Sequence, residues 1–290
     1  MLQYKNSPII ELKLRIFEEA NVRVLVKCEY LNHPFISGNK WWKLKYNLEA
    51  ATKRDHKTIL TFGGAYSNHI YATAAAAREL GLKSIGIIRG EETLPLNPTL
   101  SFAKECGMEL HYVSREMYRT KNEESFLQKL KDQYGDFYLI PEGGTNELAV
   151  KGVKEFAQSL NQEAEFDYLC LPVGTGGTMA GIIEGLDKSK QVLGFVSLKG
   201  GQFLEHEIQI YTRRKNFNLL HDYHFGGYGK MTQSLTDFTN QFEKDNSVQL
   251  DPVYTSKMML GVFDLARDGF FKKDSIVMIL HTGGLQGRPQ

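Results

Sequence analysis

Short apolar runs alternate along this chain with longer segments of helical composition. The apolar runs are typical of strands and lie at 23–28, 58–62, 84–88, 109–113, 137–140, 168–173, 192–196 and 275–280. The helical segments lie at 42–54, 68–80, 98–105, 123–134, 146–160 and 178–186. Most of the runs are apolar on both faces, as in strands that helices cover on both sides. The alternation therefore predicts an α/β fold with mainly parallel open sheets and helices on both faces.

Loops at the carboxyl edge of such sheets are where ligands bind. The loops after Phe62, Ile140 and Val173 each carry glycines and are the candidates here. The stretch 216–230 is rich in glycine, histidine and aromatic residues. We expect it to be a long irregular connection, a type of segment that often carries function.

The length and charge of the chain limit its partners. A chain of 290 residues is longer than one typical core requires, which favours one large or two moderate domains. The formal net charge of +1 gives no general attraction to nucleic acid or to an anionic membrane. We therefore expect a small-molecule partner, no nucleic acid and no membrane.

Neither the N-terminus nor the cysteines indicate export. The first residues lack a basic segment followed by an apolar core, and no apolar run approaches the ~20 residues that span a bilayer. Cys28, Cys106 and Cys170 are odd in number and lack the spacing of metal ligands. We expect a cytoplasmic protein with reduced thiols, without a disulfide framework and without a metal site.

The densest glycine motif is Pro-Val-Gly-Thr-Gly-Gly-Thr-Met-Ala-Gly at 172–181, at the end of an apolar run. Glycines let backbone amides approach an anion, and the following helix offers unpaired N–H groups and the positive end of its dipole. Thr175 and Thr178 add hydroxyl donors. The motif predicts a phosphate site, and the alternative is a tight turn without a ligand.

Two nucleotide-binding alternatives fit this motif poorly. A dinucleotide loop would have glycine where Met179 stands and an acid near position 194, which is glycine. A nucleoside-triphosphate loop needs Gly-Lys followed by a hydroxyl residue, and the chain has Gly229-Lys230-Met231 instead. NAD and ATP are therefore not the predicted ligands.

Lys40 lies in Ser-Gly-Asn-Lys-Trp-Trp-Lys, residues 37–43, immediately before a helix-forming run. A lysine binds an aldehyde covalently when a desolvated or cationic setting deprotonates its amine. If a helix begins near Asn39, Lys40 and Lys43 share one face. One amine would then bind an aldehyde cofactor while the other neutralises its phosphate. The alternative is a pair of lysines on a solvated helix face.

Ser67-Asn68-His69 ends a glycine-bearing loop and opens an alanine-rich helix. Ser67 or Asn68 can serve simply as the N-cap of that helix. The functional alternative is that this helix N-terminus holds a substrate carboxylate while Asn68 lies beside a cofactor ring. His69 is interpreted as a polar neighbour and not as a metal ligand.

Taken together, these motifs resemble the 1-aminocyclopropane-1-carboxylate deaminase and D-cysteine desulfhydrase family of pyridoxal-phosphate enzymes. The resemblance covers most of the chain and adds three ordered motifs to those above: Pro-Glu-Gly-Gly-Thr-Asn at 141–146, Asp-Pro-Val-Tyr-Thr-Ser-Lys at 251–257 and His-Thr-Gly-Gly at 281–284. It implies a two-domain fold like that of the tryptophan synthase β-subunit, fold type II. The larger domain would comprise 1–40 and 147–290, and the smaller one 41–146. It also implies a homodimer.

The resemblance implies a role for each matching residue. Lys40 would bind pyridoxal 5'-phosphate covalently, and Asn68 would face the ring hydroxyl and, with Ser67, orient the substrate carboxylate. Ser67 would bind the substrate and act in catalysis, with His69 beside it, while Tyr254 and Tyr228 would flank the reacting carbon and move protons. The phosphate would be bound by Lys43 and by the loop residues Gly174, Thr175, Gly176, Gly177 and Thr178.

Thr255 is the position that separates activities within this family. In the deaminase pattern a glutamate follows the tyrosine and contacts the pyridine nitrogen, whereas desulfhydrase-like members have threonine. The resemblance therefore implies that Thr255 contacts the cofactor ring. A hydroxyl group cannot hold a full proton on that nitrogen, so a carbanion at Cα is less stabilised. Elimination needs less of that stabilisation because a leaving group at Cβ takes up the negative charge.

The resemblance thus favours β-elimination from a small amino acid such as D-cysteine, giving a keto acid and ammonia. The alternatives are 1-aminocyclopropane-1-carboxylate deamination, or another deaminase or racemase chemistry on the same fold. An alternative of a different class is a non-catalytic protein that binds the cofactor or an amino acid. Trp41-Trp42, bulkier than the small or basic residues usual after the lysine, and the compact length depart from the family pattern.

Overall fold

A computed structural model describes residues 2–288 of the chain, which contain ten strands in two sheets. The strands are β1 (Ile9–Glu11), β2 (Arg23–Lys27), β3 (Thr58–Gly63), β4 (Lys83–Arg89), β5 (Met108–Val113), β6 (Tyr138–Ile140), β7 (Tyr168–Val173), β8 (Gln191–Val196), β9 (Phe217–Leu220) and β10 (Ile276–Leu280). The helices are α1 (Arg15–Glu19), α2 (Asn39–Lys53), α3 (Asn68–Glu79), α4 (Pro98–Glu105), α5 (Arg115–Arg119), α6 (Glu124–Tyr134), α7 (Glu147–Glu163), α8 (Gly177–Gly185), α9 (Leu204–Gln209), α10 (Gln233–Asp245) and α11 (Thr255–Arg267).

Both sheets are mainly parallel. The larger sheet has the strand order β1-β2-β10-β7-β8-β9, in which only β1 runs antiparallel to its neighbour. The smaller sheet has the order β5-β4-β3-β6 and is parallel throughout. The predicted α/β class is therefore confirmed.

Strands or helices lie at all fourteen positions where the sequence predicts them, and two strands lie where it does not. β1 has three residues and β9 has four, and each lies at an edge of the larger sheet. The expectation of a long irregular connection at 216–230 is wrong for Phe217–Leu220, which pair with β8 as β9. Such short runs carry too little apolar periodicity to be recognised as strands.

Helices α2, α7 and α8 lie in a layer between the two sheets. The main apolar core contains Ile59 and Ile88 of the smaller sheet, Leu169 of the larger sheet, and Val153 and Ile182 of the intervening helices. Smaller cores cover the outer faces of the two sheets. Because this layer joins both sheets, it fixes their carboxyl edges relative to one another.

The two sheets fall on opposite sides of the predicted domain division. All strands of the smaller sheet lie inside 41–146, and those of the larger sheet lie inside 1–40 and 147–290. The division at single residues stays a prediction, and positions 1, 289 and 290 lie outside the described residues. Between residues 2 and 288, no helix has both the length and the apolar character that crossing a membrane requires.

Candidate active site

Lys40 lies in the first turn of α2, at the carboxyl edges of the sheets. Gly38 caps this helix with a φ of 68°, and a Cβ there would lie 2.0 Å from the backbone oxygen of Thr282. Lys40 Nζ donates a hydrogen bond to Asn39 Oδ1 at 3.0 Å, and Asn39 Nδ2 donates to Thr178 Oγ1 at 2.8 Å. Asn39 thereby connects the lysine amine to the start of α8.

Lys43 lies one turn further along α2 and is fully buried. Its Nζ donates to Thr145 Oγ1 at 2.9 Å, and Thr145 Oγ1 lies 2.7 Å from Thr175 Oγ1 in the glycine loop. Within residues 2–288, no carboxylate oxygen lies within 4.0 Å of Nζ of Lys43 or of Lys40. The two amines therefore face only neutral acceptors.

Burial lowers the pKa values of these amines. It lowers the pKa of Lys40 to about 8, with Asp251 acting in the opposite direction. It also lowers the pKa of Lys43 well below its usual range, and the neighbouring Lys40 adds to that effect. An anion bound beside these amines would relieve both desolvation and mutual repulsion.

The glycine loop connects β7 to α8 and presents the N-terminus of that helix. Gly176 is the N-cap residue with a φ of 79°, a conformation that favours glycine. A Cβ at Gly177 would lie 2.7 Å from the Thr145 side chain, so the loop packs closely against the residues preceding α7. Unpaired amides at this helix start suit an anion.

Ser67 and Asn68 lie at the N-terminus of α3. Ser67 Oγ accepts a hydrogen bond from Ile70 N at 3.3 Å, so this residue is the N-cap, one of the two alternatives left open by the sequence. Asn68 Oδ1 accepts from Gln286 Nε2, which orients the amide and leaves Nδ2 as a donor. Gln286 carries no sequence signal for this contact.

His69 is buried beneath these residues. Its Nε2 lies 2.8 Å from Thr61 Oγ1, and its Nδ1 has no hydrogen-bond partner within the described residues. Burial, with Lys40 and Lys43 nearby, lowers the pKa of His69 well below its usual range. The imidazole is therefore neutral at pH 7. Across residues 2–288, no group of three or more His, Cys, Asp or Glu side chains could hold a metal ion.

Tyr254 and Tyr228 form an edge-to-face pair with ring centroids 6.0 Å apart. A Cβ at Gly174 would lie 3.2 Å from the Tyr254 ring, and Tyr228 Oη donates to the backbone oxygen of Tyr66 at 3.3 Å. Burial raises the pKa of Tyr228 to about 12 and raises the pKa of Tyr254 well above its usual range. Both phenols therefore carry their protons near neutral pH.

Asp251 is a buried acid to which the sequence pattern assigns no separate role. Its Oδ1 accepts hydrogen bonds from the amides of Val253 and Tyr254 at 3.0 and 2.6 Å. Its Oδ2 is buried without a partner among the described residues, and burial raises the pKa of this carboxyl to about 7. A Cβ at Gly284 would lie 2.9 Å from this oxygen and 2.5 Å from Asn68 Nδ2, so the acid lies close to Asn68.

Thr255 does not line the cavity. Its Oγ1 accepts from Asp251 N at 2.7 Å at the start of α11, and the side chain is fully buried. Its proposed contact with a cofactor ring stays a prediction. The side chains of Trp41 and Trp42 also point away from the site, because their indole nitrogens donate to Gln3 O and Glu29 Oε2.

The other predicted residues surround one cleft in two parts. The inner part, about 60 Å³, is lined by Lys40, Lys43, Ser67, Asn68, His69, Gly174, Thr175, Gly176, Thr178 and Tyr254. The outer part, about 650 Å³, is lined by Tyr228 and Tyr254 together with Arg89, Lys121, Glu142 and Glu207. The two parts share Ser67, Gly143, Gly174, Thr175 and Tyr254, so they are continuous. Gly177, the first residue of α8, is not among the residues that line either part.

Comparison with known proteins gives consistent matches over almost the full chain. Residues 1–283 match the family model described as "Pyridoxal-phosphate dependent enzyme". A Pyrococcus horikoshii protein with the provisional name 1-aminocyclopropane-1-carboxylate deaminase is 32% identical, with 94% of this chain and 87% of that protein covered. The Arabidopsis thaliana mitochondrial protein named bifunctional D-cysteine desulfhydrase/1-aminocyclopropane-1-carboxylate deaminase is 29% identical, with 87% and 70% covered. A crystal structure of a homologue of ACC (1-aminocyclopropane-1-carboxylate) deaminase superimposes with a TM-score of 0.85 at 28% identity. The match covers 99% of this chain and 92% of that chain.

Proposed function

The chain belongs to the pyridoxal-phosphate dependent enzyme family, and on that premise we propose that it catalyses β-elimination from a small amino acid such as D-cysteine. The products are a keto acid, ammonia and the released β-substituent. Family membership confirms the predicted cofactor and the prediction that the chain is an enzyme. The structural match confirms the predicted fold.

The residues of the inner cleft fit this cofactor. Lys40 and Lys43 are amines with lowered pKa values and no carboxylate partner within residues 2–288, beside a helix N-terminus that suits a phosphate. We assign the covalent attachment to Lys40 and the phosphate to Lys43 with the loop residues 174–178. When bound, pyridoxal phosphate supplies an electron-withdrawing ring that stabilises negative charge at the substrate Cα.

The surrounding residues orient the substrate and move protons. The N-terminus of α3, with Ser67, would hold the substrate carboxylate, while Asn68 Nδ2 would donate to the ring hydroxyl. Lys40 Nζ has a pKa of about 8, which suits it to accept the Cα proton near neutral pH. The protonated phenols of Tyr254 and Tyr228 would donate to the leaving group.

The observation that carries this proposal is the position of the Lys40 amine. It shares one cavity with the buried Lys43 amine, the glycine loop and the N-terminus of α3. The preference for elimination is supported by Thr255, because a threonine and not an acid follows Tyr254. The name of the Arabidopsis relative includes a desulfhydrase activity of this kind.

The test combines the visible spectrum of the purified protein with a keto-acid assay. We expect absorbance from lysine-bound cofactor, and keto acid and sulfide from cysteine, with the D and L enantiomers assayed separately. Lys40→Ala should abolish both, whereas Lys53→Ala, on the exposed end of the same helix, should leave both intact. If the wild-type protein shows no such absorbance after pyridoxal phosphate is added, the proposal fails.

Cyclopropane ring opening is the second candidate, because both named relatives include 1-aminocyclopropane-1-carboxylate deaminase in their names. The same assay with 1-aminocyclopropane-1-carboxylate separates the two activities by their products. A racemase would interconvert the enantiomers of the substrate without releasing a keto acid. A protein that only binds the cofactor would shift its absorbance with amino acids and release no keto acid.

We also propose that the protein is a homodimer in the cytoplasm, as the family resemblance implies. Sedimentation of the holoenzyme at several concentrations measures the oligomeric state. A single species of 33.0 kDa at all concentrations would refute the dimer. Fractionation of cells that express the protein tests its location.

A further inference from the structure

The outer part of the cleft is larger than a small amino acid requires. Its volume of about 650 Å³ lies within the range of ligand pockets, roughly 300–1,000 Å³. It opens directly from the inner part, past Ser67 and Tyr254. A substituent on the substrate Cβ that leaves the inner part therefore enters this space.

Some charged side chains on the wall of the outer part form ion pairs, and others do not. Lys121 Nζ lies 3.3 Å from Glu142 Oε2. Arg89 has no carboxylate within 4.0 Å among residues 2–288, and its guanidinium lies 5.7 Å from the centre of the Tyr118 ring. The remaining acid, Glu207, lies beside the glycine loop, where its Cβ would be 3.8 Å from a Cβ at Gly176. The wall near α3 thus carries one unpaired cation.

Arg89 lies at the end of β4, close to the predicted reaction centre. It is the last residue of that strand, at the carboxyl edge where parallel sheets bind ligands. A Cβ at Gly64 would lie 3.5 Å from Arg89 Nη2, and Gly64 precedes the α3 cap Ser67 by three residues. The positive charge also acts on Tyr228, whose pKa it lowers against the larger effect of burial.

We propose that Arg89 binds an anionic substituent on the substrate Cβ, so that the preferred substrates are alanines with a phosphate or sulfonate group at that carbon. This inference rests on the proposed elimination. In that reaction the Cα–H bond breaks with its proton going to Lys40 Nζ, and the Cβ–X bond breaks with its electron pair going to X. Water supplies the carbonyl oxygen of the keto acid, and nitrogen leaves as ammonia. A guanidinium beside X stabilises the charge that X gains as it departs.

The test compares two substrates that differ in charge at the β-substituent, O-phosphoserine and O-acetylserine, each as both enantiomers. Keto-acid release gives kcat/KM, and calorimetric titration of the holoenzyme gives the dissociation constant whether or not turnover occurs. In Arg89→Leu, the preference for the phosphorylated over the acetylated substrate should fall about tenfold or more, the value of a charge-assisted hydrogen bond. Arg89→Lys should restore part of the preference.

Arg119→Leu is the matched control, since it removes an exposed cation of α5 that does not line the cleft. It should leave the preference within twofold of wild type. If Arg89→Leu also leaves the preference unchanged, or if the wild-type protein shows no preference for the anion, the inference is overturned. If the anion preference in binding depends on Arg89 while no keto acid forms, the subsite stands and the proposed elimination fails.

Discussion

The chemistry proposed for Lys40 depends on the charges that surround its amine. Burial favours the neutral amine, and Asp251 partly opposes this effect. Lys43 and His69, which lie nearby, are bases as well and supply no negative charge. Burial also lowers their pKa values. The apoprotein thus holds a desolvated basic site that a phosphate would neutralise.

Lys43→Met should change stability and cofactor affinity in opposite directions. Removing a buried amine whose pKa is lowered relieves a desolvation penalty, so the free energy of unfolding of the apoprotein at pH 7 should rise by about 1–3 kcal/mol. The dissociation constant of pyridoxal phosphate should increase at least about tenfold, because a charge-assisted hydrogen bond is lost. Urea unfolding and fluorescence titration measure the two quantities. Lys53→Met is the exposed control, and a loss of stability without a loss of affinity would assign Lys43 to packing.

Asp251 should make the stability of the apoprotein depend on pH. Its pKa is about 7 in the folded state and about 3.9 when unfolded. Between these values only the folded state keeps the proton, so the free energy of unfolding falls as the pH rises from about 4 to about 7. Lys40 and Lys257, with pKa values lowered to about 8, titrate mostly above this window.

Asp251→Asn removes this dependence. Measured by urea unfolding, the free energy of unfolding of the variant minus that of wild type should be about 1–3 kcal/mol larger at pH 7.5 than at pH 4.5. Asp132→Asn, which alters an exposed acid on α6, should give the same difference from wild type at both values. A pH-independent difference for Asp251→Asn would show that its Oδ1 hydrogen bonds alone matter.

The sequence predicts site residues that lie in local motifs better than it predicts the residues from distant parts of the chain that lie beside them. Lys40, Ser67 and the glycine loop carry patterns that depend on the chain around them, and the structure brings them to one cavity. Arg89 lines the cleft and Gln286 contacts Asn68 in its lining, both from distant positions in the chain, and neither lies in a recognisable pattern. Only the tertiary fold, through the common edge of two sheets, brings such residues to the site.

Helix α7 determines how closely the layer between the sheets packs. A Cβ at Gly152 would lie 2.1 Å from the backbone oxygen of Trp42 in α2, and one at Gly185 in α8 would lie 2.3 Å from the backbone oxygen of Lys154. These glycines allow close approach of three helices. Because Thr145 precedes α7 and Lys43 follows Trp42, the same packing supports the contact between Lys43 and Thr145.

Gly152→Ala should separate α2 from α7. Alanine favours a helix by about 1 kcal/mol, but the clash is with backbone that cannot rotate away. We expect a net loss of about 1–3 kcal/mol in urea unfolding, together with weaker binding of pyridoxal phosphate. Gln158→Ala, at an exposed position of the same helix, should change neither property. Unchanged binding in the glycine variant would show that the position of Lys43 does not depend on this packing.

Some elements that the sequence does not predict have little internal pattern, whereas α11 has one. β1 and β9 are short edge strands that rely on pairing with β2 and β8. α11 starts within the motif at 251–257, which the sequence analysis interprets by its chemistry alone. Its buried residues include Met258, Met259 and Val262, a spacing that helical periodicity would have identified.

The two sheets both contribute groups to the cofactor site. The N-terminus of α3 follows β3 of the smaller sheet, and the glycine loop follows β7 of the larger sheet. Two contacts connect these sides: Thr145 Oγ1 lies 2.7 Å from Thr175 Oγ1 in the glycine loop, and Tyr228 Oη donates a hydrogen bond to the backbone oxygen of Tyr66. A ligand that binds all these groups is bound only by the folded chain, and it therefore stabilises both sheets together.

Pyridoxal phosphate should consequently raise the melting temperature of the apoprotein. At 100 times its dissociation constant, a ligand that binds only the native state adds about 2.7 kcal/mol, which corresponds to a rise of about 5 °C for a chain of this size. Calorimetry should show a single unfolding transition, which the ligand shifts to higher temperature without splitting it in two. Pyridoxal, which lacks the phosphate, should give a much smaller rise at the same concentration, and Lys43→Met should reduce the difference between the two ligands. Equal shifts with both ligands would show that the glycine loop and Lys43 do not anchor the phosphate, because the aldehyde contact at Lys40 would then account for all the stabilisation.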